Sequence, residues 1–166
     1  MQGRENLVDE LVREEEMTEE EYEPLILMFA TERCAYPCAD VAGLSKITYP
    51  PNVRLIRVRC CSMVPPNLVL EAFRKGVDGI IIGTCYPQDC AFKRGVERTR
   101  ERMKKLAPKL REMGIEADRL RVEAICSVCT NVFKQVTEEM TEILKLLGPT
   151  PYAEARAKLH KEKEVG

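Results

Sequence analysis

Two stretches of this chain are uniformly apolar in the manner of strands buried on both faces. They are Leu25-Ile26-Leu27-Met28-Phe29-Ala30 and Gly79-Ile80-Ile81-Ile82. A strand with one wet face alternates apolar and polar residues; a continuous run of this length, bounded by Pro24 or by polar loops, needs cover above and below. Two weaker runs accompany them. Val53 to Arg59 carries Val, Leu, Ile and Val among arginines, and Leu120 to Ile125 alternates in the manner of a half-exposed edge strand. Helical periodicity follows each run. Asp40 is placed to cap a short helix through Leu44. Pro65-Pro66-Asn67 opens a helix in which Leu70 and Phe73 share a face and Gly76 closes the end.

The third helix is expected over about 91–113, with Phe92, Val96, Met103, Leu106, Leu110 and Met113 as its apolar seam and Pro108 kinking or splitting it. The last helix buries Val132, Phe133, Val136, Met140, Ile143, Leu144 and Leu147 and stops at Gly148-Pro149. Four strand–loop–helix units predict an α/β fold. Its form is a three-layer αβα sandwich around a four-stranded, mainly parallel sheet of flavodoxin-like or Rossmann-like kind. Residues 24–149 make up this domain, 1–23 an acidic helical arm, and 150–166 a charged tail.

All eight cysteines fall after predicted strands: Cys34 and Cys38 after the first, Cys60 and Cys61 after the second, Cys85 and Cys90 after the third, Cys126 and Cys129 after the fourth. In open parallel sheets ligands bind outside the carboxyl ends of the strands, so the pattern predicts eight sulfurs at one rim. Nothing at the start of the chain reads as a secretory signal and no run approaches the roughly 20 apolar residues of a bilayer span, which makes the cytoplasm the expected compartment. Thiols there are normally kept reduced, which favours metal or redox chemistry over a disulfide framework. Three chemistries suit such sulfurs: an iron–sulfur cluster on four thiolates, a closed zinc site, or a dithiol such as Cys126-Ser127-Val128-Cys129 at a helix start. Arg33 and Arg59 are the nearby cations in sequence.

Other functions are excluded by what the chain lacks. With His160 as its one histidine and no tryptophan, it offers neither a histidine-based metal site nor a Ser-His-Asp hydrolase. The net charge of -1 conceals ten acidic and two basic side chains in residues 1–24, against eleven basic and five acidic in residues 92–121. Such blocks are solvated faces or docking surfaces. A pI near 6.0 with few aromatics gives nucleic acid no footprint.

From about Leu25 to Pro149 the chain resembles the delta subunit of methyl-viologen-reducing hydrogenase, an iron–sulfur protein associated with heterodisulfide reductase. The resemblance rests on Cys34-Ala35-Tyr36 with Ala39-Asp40-Val41-Ala42-Gly43-Leu44, and on Tyr49-Pro50-Pro51-Asn52-Val53-Arg54. It continues through Ile56-Arg57-Val58-Arg59-Cys60, Val69-Leu70-Glu71-Ala72-Phe73, Lys75-Gly76-Val77-Asp78-Gly79 and the Cys85–Cys90 loop. It implies one 2Fe–2S cluster. It also implies an electron-transfer role between a hydrogenase, or a formate dehydrogenase-like donor, and a heterodisulfide reductase flavoprotein in an electron-bifurcating complex of anaerobes. Substrate turnover would belong to that complex, since the chain assembles no general acid, base or nucleophile of its own. The family cysteine three residues before Cys34 is Thr31 here, so the implied ligands are Cys34, Cys60, Cys85 and Cys90. Cys38, Cys61, Cys126 and Cys129 lie outside the family pattern; they are secondary ligand candidates, and a 4Fe–4S or a second cluster stays open. The alternative reading is a stand-alone thiol/disulfide redox protein or a zinc-binding adaptor.

Overall fold

The computed structural model describes residues 22–156. The acidic arm, apart from Tyr22 and Glu23, and the tail beyond Arg156 lie outside the described residues. The four apolar runs form strands β1 (Ile26–Thr31), β2 (Val53–Val58), β3 (Gly79–Thr84) and β4 (Leu120–Ala124). All pairings are parallel, in the order β2-β1-β3-β4. Ile26 stands between Val53 and Gly79, and Ile80 opposite Leu120. Chain direction across the sheet therefore reverses between β1 and β3, the position at which a doubly wound sheet opens a crevice.

Helices α1 (Ala35–Leu44) and α4 (Thr130–Leu147) cover one face; α2 (Pro66–Arg74) and α3 (Gly95–Glu112) cover the other. The unbroken apolar runs of β1 and β3 follow from this. Phe29, Ile80 and Ile82 turn toward Phe73, Met103 and Leu106. Ile26, Met28 and Ile81 turn toward Phe133, Met140 and Leu144. Each such side chain, fully buried, contributes about 1.5–3 kcal/mol. Two glycines of β3 permit the close approach of the α1/α4 layer. A Cβ at Gly79 would overlap the Leu144 methyls, and one at Gly83 would sit 2.7 Å from Ala35 Cβ.

Strand β4 is the half-exposed edge that its alternation predicts, with Arg121 paired to Glu123 at 2.9 Å and to Glu139 at 3.2 Å. Three local expectations are corrected. Helix α3 begins at Gly95, four residues later than the periodicity implies. Lys93 adopts φ 51° in the preceding turn, so Phe92 leaves the seam and is 53% exposed. Pro108 does not split α3, which runs unbroken through it. Cys38 is helical rather than in a loop, because α1 starts directly after Cys34.

The foot of the sheet, where the strands begin, is a polar knot. Asp78 is fully buried and accepts hydrogen bonds from Leu25 N at 2.9 Å, Thr150 N at 3.4 Å and Arg156 Nη1 at 2.9 Å. Arg119, 1% exposed, donates to the carbonyls of Asp78 at 3.2 Å and Gly148 at 2.8 Å and pairs with Glu116. Buried charges are tolerable only when paired and bonded in this way.

Candidate functional site

The opposite end, where β1, β2 and β3 finish, gathers five thiols. Cys34 follows β1 as the residue that leads into α1. Cys60 and Cys61 follow β2, the latter opening a short 3-10 turn. Cys85 directly follows β3, and Cys90 closes the 3-10 turn Pro87–Asp89. Cys60, Cys61, Cys85 and Cys90 are buried, and Cys34 is partly covered by the same core. Cys34 neighbours Cys85 closely enough to share a hydrogen bond, with Cys90 and Asp89 nearby. Cys61 is bonded in the same way to Cys60 and lies near Cys90.

Gly95 shows how tightly two of these sulfurs are held. A Cβ there would lie 2.9 Å from Cys60 Sγ and 3.4 Å from Cys90 Sγ, so the missing side chain is the space that the first turn of α3 leaves for sulfur. Sequence reasoning missed Gly95; a glycine in the first turn of a long helix, just after a two-cysteine loop, is the signal that points to it.

Hydroxyls complete the shell. Ser62 Oγ donates to Cys60 Sγ at 3.2 Å. Thr31, buried, has its Oγ1 3.9 Å from Cys85 Sγ, so a hydroxyl at the end of β1 contacts the group. Burial, then the bond to Cys85 and the charges of its neighbours, push the Cys34 thiol up to about 12. Burial, outweighing a bond to Thr99, pushes Cys61 up to about 11. Cys34 and Cys61 are therefore held as neutral thiols until a cation arrives to displace the proton.

Of the eight sulfurs expected at one rim, five gather there as free thiols. Cys38 sits one helical turn into α1, buried in the opposite core among Met28, Ala42 and Phe133, and burial raises its pKa. Cys126 and Cys129 reach the rim but are joined to each other in a disulfide. Arg59 turns outward to Glu32 at 3.9 Å. Among the described residues no three His, Cys, Asp or Glu side chains converge tightly enough to hold a single metal ion. The thiols instead meet as neighbours, Cys34 with Cys85 and Cys61 with Cys60, with Cys90 close to both Cys34 and Cys61. This donor set fits a group larger than one ion and composed of thiophilic metal. Two large apolar side chains flank it in the open: Met63, 63% exposed, and Phe92. No helix among the described residues is long and apolar enough to cross a membrane.

Comparison with known proteins gives a consistent set of likenesses. The profile of the family described as "Methyl-viologen-reducing hydrogenase, delta subunit" matches residues 26–148. The chain is 39% identical over 130 residues to an iron–sulfur subunit of the F420-non-reducing hydrogenase of Archaeoglobus profundus, covering 78% of this chain and 95% of that one. It is 35% identical over 140 residues to the corresponding iron–sulfur subunit of the vhc F420-non-reducing hydrogenase of Methanococcus voltae, covering 84% and 97%. A third relative is far longer. It belongs to the ferredoxin/F(420)H(2)-dependent CoB-CoM heterodisulfide reductase of Methanosarcina acetivorans. The identity there is 35% over 126 residues, which make up 76% of this chain and 16% of that protein.

Proposed function

The chain belongs to the family of methyl-viologen-reducing hydrogenase delta subunits, and from that premise we propose that it is the iron–sulfur electron-transfer subunit of an oxidoreductase complex. It relays electrons between a hydrogenase, or a formate dehydrogenase-like donor, and a heterodisulfide reductase-type flavoprotein. The observation that supports this most is the gathering of four thiols at one rim, with Cys60 and Cys90 against the bare Cα of Gly95 and Cys34 beside Cys85 and near Cys90. Four thiols gathered at one rim suit a 2Fe–2S cluster, in which each iron takes two thiolates. When bound, the cluster supplies a one-electron donor and acceptor.

The chain's own residues do the rest. Strand ends and the first turn of α3 fix the sulfurs, and the core beneath excludes water from them. Ser62 donates a hydrogen bond to the Cys60 sulfur, which favours the more negative, reduced state. Met63 and Phe92, beside the thiols, give a partner an apolar footing close to the redox centre. The outer face of α3, with arginines 98, 100 and 102 and lysines 104, 105 and 109, steers an acidic partner toward it.

Anaerobic purification followed by iron and sulfide analysis and EPR of the reduced protein tests the proposal. Two irons and two sulfides per chain, with a signal from one unpaired spin, are expected. Replacing Cys90 by Ser should remove the signal, whereas Cys38→Ala, on the opposite face, should keep it. A colourless chain holding stoichiometric zinc would end the proposal.

A further inference from the structure

The one disulfide among the described residues stands apart from the thiol group. Cys126 and Cys129 are linked across two residues, in the loop that joins β4 to the eighteen-residue helix α4, and Cys129 is the residue from which that helix starts. Both sulfur-bearing residues are partly exposed, and Val128 between them is 72% exposed. A solvent-borne thiol can therefore reach the pair. The loop is held in place rather than frayed: Ile125 N donates to Thr84 O at 2.9 Å, Cys129 N to Cys126 O at 3.3 Å, and Phe133 N to Cys129 O at 3.1 Å. A link across so short a loop removes little entropy from the unfolded chain, so stabilisation is a weak reason for its presence.

We propose that Cys126 and Cys129 form a second redox site, a dithiol–disulfide couple that exchanges two electrons with a vicinal dithiol. The geometry fixes the direction of attack. A thiolate of the reductant attacks Cys126 Sγ, forming a mixed disulfide and breaking the Cys126–Cys129 bond. Cys129 leaves as a thiolate at the N-terminal end of α4, where the helix dipole favours negative charge. The second thiol of the reductant then attacks the mixed disulfide and releases Cys126. The reductant ends as a cyclic or intramolecular disulfide, and its two protons and two electrons reside on Cys126 and Cys129. The neighbouring charges are already engaged: Glu123 on β4 with Arg121, and Lys134 on α4 with Glu138. None is needed in the exchange.

The test uses the full chain, purified anaerobically with its cluster, equilibrated in dihydrolipoate/lipoate mixtures and then quenched and alkylated. Tryptic cleavage after Arg121 and Lys134 isolates a peptide that holds these two cysteines and no other. Expected is a reversible passage from no label to two labels on that peptide, with the slope of a two-electron couple and constant iron content. In Cys126→Ser the peptide should carry one label at every mixture. A time course of labelling with dihydrolipoate and with a reduced Cys-x-x-Cys oxidoreductase, quenched before equilibrium, distinguishes the source of the dithiol, since the faster reductant identifies it as protein or small molecule. Three results overturn the proposal: a peptide unlabelled in every mixture and with both reductants, a peptide doubly labelled even at the most oxidising poise, or loss of iron in step with labelling.

Discussion

Replacing Gly95 by alanine is the sharpest probe of how the thiols are held. The added carbon would lie 2.9 Å from Cys60 Sγ, 3.4 Å from Cys90 Sγ and 3.8 Å from Phe92 Cβ. Optimal non-bonded separations are about 3.5–4.0 Å, so the first contact is too close by roughly 0.6–1.1 Å. Cys60 and Cys90 are both buried and have little room to turn away. Overpacking of this kind costs about 1–3 kcal/mol. Alanine recovers at most about 1 kcal/mol through helix propensity, and against that full recovery the net loss is about 0–2 kcal/mol, or a Tm lower by up to about 8 °C for a chain of this size. Gly43→Ala is the control. It is also helical, with nothing within 4 Å of the new carbon, and should stabilise by up to about 1 kcal/mol. Thermal melting of both reduced variants, with iron and sulfide counts on anaerobic preparations, reads the difference. With a cluster bound, the sulfurs cannot swing aside, so Gly95→Ala should also lose iron while Gly43→Ala keeps it. If Gly95→Ala gains stability as Gly43→Ala does and holds full iron, the cradle does not exist.

Two further outcomes follow from the same structure. Ser62→Ala removes the 3.2 Å bond to Cys60 Sγ. If about 1 kcal/mol of such a charge-assisted bond is specific to the reduced state, the potential falls by about 40 mV for a one-electron couple; an EPR-monitored redox titration measures it, and an unchanged or raised potential contradicts the assignment. Glu116 is bonded to buried Arg119, which holds its carboxyl below the usual 4.5. A depressed folded-state pKa gives stability that is complete above the unfolded value and lost as pH falls through the folded one. Urea melts of Glu116→Gln should therefore trail wild type by about 0.5–1 kcal/mol at neutral pH, the pair being half-exposed on the Glu side, and converge with it at acid pH.

The features most legible in the sequence are those imposed by burial. Leu25 to Ala30 and Gly79 to Ile82 announce strands covered on both faces because no polar residue interrupts them, and β1 and β3 are the central pair. The strand order was less accessible, since it depends on where each crossover packs rather than on any single segment. Phe92 matches the period of α3, yet the turn at Lys93 lies between it and the helix; spacing alone does not register a change of backbone. Cys38 misleads for a related reason. A gap of three residues after Cys34 looks like a loop motif, but α1 begins at once and carries Cys38 beneath itself with Ala35, Ala39 and Ala42. The convergence of Cys34, Cys60, Cys85 and Cys90 on one rim was legible because each follows a strand of a parallel sheet. The contact of Gly95 with sulfur was not, because it joins α3 to a loop 35 residues earlier in the chain.

The knot around Asp78 bears on how such a domain travels between proteins. Tyr22 donates to Gly148 O at 3.3 Å and Arg156 reaches Asp78, so the described segment departs in both directions from the foot of the sheet, a full strand length from the sulfurs. Polypeptide continuing on either side therefore sets out from the end of the sheet opposite the thiol rim. The domain is thereby suited to modular recombination, on its own or as one segment of a larger chain, and a counterpart occupying 16% of a Methanosarcina acetivorans protein has that second arrangement.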